Sequence, residues 1–380
     1  MDTLRGIAVL MVIFFHGFYF VTGTARFHGL IRWFVIATGI GWVGVNLFFV
    51  LSGFLITGIL LGSRDNPGYY RGFYFRRALR ILPAYYGLLL LLLITVRAGL
   101  VERQVSLGFL ALCFVYLSNM TSFFGVPMQY AALWSLAVEE HFYLLWPAVV
   151  RNLSRRFLLW ACGLIILGSP ALRALYFWRH YQYGAAYTWL VADGLAWGAL
   201  IALLARGRLS SRRAMLRFGV ACLVGTACLV TALLPFDLVH SGSLAGGVLL
   251  TSLINSFFAG VLTLALVMGS GSWKFIFARP GLKFFGEISY GLYLVQMLAF
   301  DGVSRALGHW GLNVSRTSGS FALVLARFAA GTALAIGVAY FSRWYLEEPF
   351  LRLKDKFEVG RNKIPVKVLE DRSIERKAAS

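Results

Sequence analysis

The sequence predicts an all-α, polytopic membrane protein of about ten transmembrane helices plus a short re-entrant or interfacial segment, with both termini cytoplasmic. Of its 380 residues, 59% are hydrophobic and 14% charged. The mean hydropathy of +0.73 is far from that of a soluble domain. Long apolar runs recur over 7–21, 87–95, 158–167, 195–205, 220–234, 246–268 and 321–341, and several are long enough to cross a bilayer. Between these runs, Lys and Arg fall in clusters.

The first run carries His16, with Arg5 just ahead of it and no other ionisable side chain between the two. Charge inside a membrane helix is costly and marks function. Eleven residues turn a helix about three times, so both side chains share one face, about 16 Å apart along the axis. A cation at the rim and an imidazole in the interior suit a large anionic donor that reaches its reactive end into the bilayer. No small-residue cleavage site follows, so the segment is expected to be retained and not removed as a signal peptide.

Basic clusters at 64–80, 151–156, 206–217, 274–283 and after 351 are expected on the cytoplasmic side, and the connection 235–244, without Lys or Arg, outside. The net charge of +20 then sets topology, and no nucleic-acid partner is expected. Residues 107–118 supply only about 12 apolar positions against the roughly 20 a spanning helix needs. If they crossed, the cluster 151–156 would fall outside, so they are expected not to cross. Residues 1–351 form the membrane domain, and 352–380 a basic, mixed-charge cytoplasmic tail, too short for a soluble catalytic domain.

Ahead of the third span, Arg77 and Arg80 at i and i+3 share a helix face, with Arg76 beside them. Converging guanidinium groups bind phosphate bidentately, although a basic block there also serves as a plain topology anchor. The block Trp134-Ser-Leu-Ala-Val-Glu-Glu-His-Phe-Tyr143 opens a later span from the outer side. Its carboxylates, Glu139 and Glu140, are expensive in an apolar helix unless paired or functional. Either would orient His16 for general-base chemistry; the competing reading is an interfacial cap with Trp134 in the aromatic belt. The four cysteines show no metal-ligand spacing and read as small buried thiols; no metal site is expected.

Taken together, Arg5-x10-His16, Gly44-Val-Asn-Leu-Phe-Phe-Val-Leu-Ser-Gly-Phe-Leu-Ile-Thr57, Phe75-Arg-Arg-Ala-Leu-Arg-Ile-Leu-Pro83, the block 134–143, Ile288-Ser-Tyr-Gly-Leu-Tyr-Leu294 and Glu347-Glu-Pro-Phe350 resemble the membrane-bound acyltransferase-3 family, in the same order and over nearly the whole chain. The resemblance implies transfer of an acyl group, usually acetyl from cytoplasmic acetyl-CoA, to a hydroxyl of a carbohydrate or other acceptor at or across a membrane, here a bacterial inner membrane. It assigns His16 as the essential histidine, Arg5 as its paired arginine, Arg77 and Arg80 as the Arg-x-x-Arg motif, and Glu139 as the acid of Trp-Ser-Leu-x-x-Glu. Asn46 stands where the family often has Asp, and Gln296 where it often has His. Many members carry an added extracytoplasmic SGNH-type domain. None is expected here, so the membrane domain either completes the reaction or passes the acyl group to a separate extracytoplasmic transferase.

On this reading Arg5, Arg76, Arg77 and Arg80 hold the acyl-CoA phosphates. His16, oriented by Glu139 or Glu140, deprotonates the acceptor hydroxyl, an acyl-imidazole route being the variant. The external connections 23–40 and 302–319 are expected to shape the acceptor site. The rival class is a proton-coupled transporter or flippase, which also needs intramembrane Arg, His and Glu.

Overall fold

The computed structural model describes residues 1–23, 27–100, 105–180, 186–207, 210–237, 243–268, 279–314 and 320–350. All its regular elements are helical, as the long apolar runs require, because in lipid each backbone polar group must be satisfied within its own segment. Helix α1 (Asp2–Phe14) continues through a π-helical turn, Phe15–Tyr19, to Thr22. Helices α2 (Gly29–Gly39) and α3 (Gly44–Gly62) are joined by the 3₁₀ turn Ile40–Val43. Then come α4 (Tyr69–Arg97), α5 (Leu107–Phe114), α6 (Ala132–Asn152) and α7 (Arg155–His180). The chain continues through α8 (Asp193–Ala205), α9 (Arg212–Leu233), α10 (Leu244–Met268) and α11 (Pro280–Glu287), and on to α12 (Ser289–His309) and α13 (Phe321–Phe341). Ser106, Ser211 and Ser320 cap α5, α9 and α13, each hydroxyl accepting from an N–H three residues on.

Seven helical stretches among the described residues are long and apolar enough to cross a membrane: Asp2–Thr22, Gly29–Gly62, Tyr69–Arg97, Arg155–Arg179, Arg212–Phe236, Ala245–Met268 and Phe321–Phe350. The chain is therefore an integral membrane protein. Helices α6 and α12, 21 residues each, are about 30 Å long but carry too many polar side chains to join that set. Both are largely buried, whereas α7 turns Leu164 and Leu167, 71% and 74% exposed, outward to lipid. Apolar α3 and α8 are buried as well, so the interior combines polar and apolar helices, while α7, α9 and α13 lie toward the rim.

Helix α5 has only 8 residues, about 12 Å, and Tyr116 in the left-handed region breaks it from the following 3₁₀ turn, Ser118–Phe124. It is too short to cross. Helix α3 packs closely on α8, where a Cβ on Gly53 would strike the Leu195 carbonyl and one on Gly198 the Val50 carbonyl. Glycine lets the two backbones meet, as membrane helices often require.

The basic clusters gather at one end. Arg64 donates to the Leu153 carbonyl at 2.7 Å, Arg155 to the Arg206 carbonyl at 3.2 Å, and Arg206 to the Gly58 carbonyl. Helix α11 lies against the start of α1, with Gly286 on the Asp2 backbone. Residues 274–278 and the tail from 351 onward lie outside the described residues.

Two expectations about connections change. Residues 29–39 of the first form helix α2, and α12 runs through 302–309 before ending. Of the cysteines, Cys113, Cys162 and Cys222 are buried thiols, but Cys228 is exposed on α9.

Candidate active site

His16 lies in the π-helical turn that ends α1. Such turns insert an extra residue into the helical ladder and recur at functional sites. Its Nδ1 is 3.1 Å from the Val12 carbonyl. A carbonyl only accepts, so this hydrogen bond requires the proton on Nδ1, and a neutral ring so held has its lone pair on Nε2. The ring edges onto Phe15 and Phe20 and lines a cavity of about 220 Å³ with Asn46, Phe49, Trp134 and Tyr293. Asn46 donates to Asn255 at 2.8 Å, which fixes its amide in the wall.

Behind Trp134, α6 presents Ser135, Glu139 and Tyr143 at four-residue spacing, hence on one stripe. Ser135 and Tyr293 share a hydrogen bond of 2.6 Å. Glu139 accepts from Ser52 on α3 at 2.7 Å through one oxygen and from Tyr143 at 2.9 Å through the other. The Arg77 guanidinium stacks on the Tyr143 ring, 3.9 Å from its centroid. A polar stripe therefore leads from the His16 cavity toward the basic end.

There the arginines converge. Arg80 lies within electrostatic reach of Arg5, Arg77 and Glu347, and Arg5 also meets Asp2 at 3.5 Å. The Arg77 Nε is a buried donor with no protein partner. An orphaned guanidinium donor amid other cations fits an anionic group such as a phosphate. Arg76 is turned back along its own helix, beside Gly72.

His16 and Glu139 each have defined hydrogen-bond partners. A main-chain carbonyl orients the imidazole, while Glu139 holds Ser52 and Tyr143. Glu140, about 100° further round the helix, faces Arg77 and the tyrosines Tyr85, Tyr86, Tyr116 and Tyr290. Gln296 is fully buried, with its amide 3.4 Å from the Tyr293 carbonyl, and does not line the His16 cavity. Sequence reasoning missed Ser52, Tyr143 and Tyr293. The four-residue spacing of Ser135, Glu139 and Tyr143 was the available signal for Tyr143; Ser52 and Tyr293 come from other helices and offered none.

The chain matches the acyltransferase domain of the acyltransferase-3 family over residues 1–344. It is 29% identical over 322 residues to the peptidoglycan O-acetyltransferase OatA of Listeria monocytogenes, across 77% of this chain and 48% of that protein. Over 161 residues it is 37% identical to the putative peptidoglycan O-acetyltransferase YrhL of Bacillus subtilis, across 39% of this chain and 23% of that one. A putative O-acetyltransferase of Staphylococcus aureus is 28% identical over 327 residues, across 77% and 49%. The chain spans about half the length, or less, of these curated relatives. No solved structure matches it.

Proposed function

Since the chain belongs to the acyltransferase-3 family, we propose that it is a membrane-embedded O-acetyltransferase that moves an acetyl group from cytoplasmic acetyl-CoA to a hydroxyl of a glycan acceptor in a bacterial inner membrane. The observation that carries this reading is the polar stripe joining the Arg5, Arg77 and Arg80 cluster to the His16 cavity through Tyr143 and Glu139. The names of the Listeria and Bacillus relatives favour a glycan acceptor.

Arg77, Arg80 and Arg5 would hold the donor phosphates, and the orphaned Arg77 Nε supplies a donor for them. Acetyl-CoA, when bound, supplies an activated thioester carbonyl. His16 Nε2 takes the acceptor proton as the hydroxyl oxygen bonds to that carbonyl, and the imidazolium then returns a proton to the departing thiolate. The Val12 carbonyl keeps the tautomer this requires. Glu139 acts through Tyr143 and Ser52, holding the stripe open as a positioning residue.

The topology we propose has ten crossings, α6, α8 and α12 joining the seven apolar stretches, with both termini and the tail 352–380 in the cytoplasm. The gathering of basic clusters at one end supports it.

Purified protein incubated with labelled acetyl-CoA and a glycan acceptor tests the reading against a proton-coupled carrier. Transfer of label, or hydrolysis of the thioester, is expected. Substrate exchange across proteoliposomes with no thioester cleavage would overturn it.

A further inference from the structure

A second cavity of about 530 Å³ adjoins the first and shares Trp42, Trp134, Val191 and Thr251 with it. It lies at the end of the bundle opposite the basic clusters, among the start of α6, the start of α10 and the turn Ser118–Phe124. No described residue of 23–40 or 302–319 lines it.

Its walls are aromatic and neutral. Trp42, Trp134 and Tyr176 contribute ring surface, and Asn119, Thr121 and Ser122 contribute polar groups. Arg173 is the single charged residue among the described lining, and its guanidinium is occupied within the protein. Its Nε donates to the Val248 carbonyl at 3.0 Å, Nη1 to the Leu190 carbonyl at 2.9 Å, and Nη2 to Asp193 at 3.1 Å and to Ser252. With Asp193 neutralising it, Arg173 serves as a buried brace between α7, α8 and α10. Asn119 is different. Its amide nitrogen donates to the Ala186 carbonyl at 3.2 Å and to Thr188 at 3.0 Å, which fixes the side chain. Its amide oxygen, buried and in a residue only 2% exposed, has no partner in the protein. A fixed acceptor left unpaired is costly unless a ligand donates to it.

We propose that this outer cavity is the acceptor subsite and that it takes an uncharged, polyhydroxyl sugar, whose hydroxyl donates to the Asn119 amide oxygen and whose ring faces lie on Trp42 and Trp134 as the reacting hydroxyl enters the His16 cavity. Apolar ring faces meeting aromatic walls, with a few fixed neutral hydrogen-bonding groups, are what such a ligand requires. Among the described lining, an anionic sugar would meet no unoccupied cation. The inference rests on the proposed O-acetyltransferase activity and adds where and how the acceptor binds.

The test uses the full chain in detergent with labelled acetyl-CoA and two probes, a neutral N-acetylglucosamine tetramer and a uronic-acid tetramer. Met128, at the lip and 38% exposed, tolerates enlargement, so Met128→Trp partly fills the cavity without opening the core. The expected result is a rise of about tenfold or more in KM for the neutral tetramer, with KM for acetyl-CoA within about twofold. The uronic-acid tetramer should be the poorer acceptor for the unaltered protein. An unchanged sugar KM in Met128→Trp, or equal use of the two tetramers, overturns this inference while leaving the activity standing. Absence of any turnover by the unaltered protein overturns both.

Discussion

Arg327 donates through Nη1 to the carbonyl of Gly17 at 3.3 Å, binding α13 to the π-helical turn that carries His16. Its Nε bonds to Ser304 at 2.7 Å, and its guanidinium lies 4.9 Å from the centre of the Phe300 ring. A buried cation from the far end of the sequence thus braces the residue next to the candidate base.

Arg327→Met should therefore lower kcat with little change in the KM for acetyl-CoA, because it loosens the imidazole and leaves the phosphate cluster alone. A charge-assisted hydrogen bond is worth about 1.5–3 kcal/mol, so the loss in kcat should be roughly ten- to a hundredfold. Arg327→Lys should recover part of it. Steady-state kinetics on correctly inserted protein check this; a rise in donor KM at constant kcat would contradict it.

His16→Ala should abolish acyl transfer while leaving donor binding near normal, since the imidazole acts at the reacting carbonyl and the arginines hold the phosphates. Equilibrium binding of acetyl-CoA and turnover, measured on one preparation, separate the two. Near-normal turnover would remove His16 from the mechanism.

Arg77→Ala and Arg80→Ala should each weaken acetyl-CoA by about 1.5–3 kcal/mol, and the effect should shrink for a truncated donor lacking the nucleotide phosphates. Loss of a topology signal would instead penalise both donors alike. Equal losses with the two donors would take these arginines out of the binding site.

Gly198→Val should prevent folding more than it alters chemistry, because the added side chain meets the Val50 carbonyl where α3 and α8 touch. Overpacking of this kind costs about 1–3 kcal/mol or more. Reduced yield of monodisperse protein and a lower melting temperature are the readouts. Gly62→Ala, where a Cβ meets open space, should be harmless in the same assay.

Single cysteines near Arg71, Ser154 and Ser211 should label only from the cytoplasm, and one near Asp237 only from outside. Labelling of the positions near Ser154 and Ser211 from outside would mean that residues 107–118 cross the membrane after all.

Membrane residence, helical class and the motif residues were legible in the sequence because they are local properties. Apolar runs make helices in lipid whatever surrounds them: the run 321–341 became α13 residue for residue, and 246–268 became all but the first two residues of α10. The sequence likewise isolated His16, Glu139, Arg77 and Arg80, since a charge in an apolar helix stands out without knowledge of its neighbours. What surrounds those charges depends on helix packing, which no single segment encodes. The Val12 carbonyl bonds to His16, Ser52 and Tyr143 hold Glu139, and Arg327 reaches Gly17 from 310 positions away. Each depends on a register, rotation or π turn set by close contacts such as Gly53 on Leu195. The residues that carry charge were therefore decided by the sequence, and their partners by the tertiary structure, because hydrophobicity is a property of a segment and hydrogen-bond geometry is a property of the whole packed bundle.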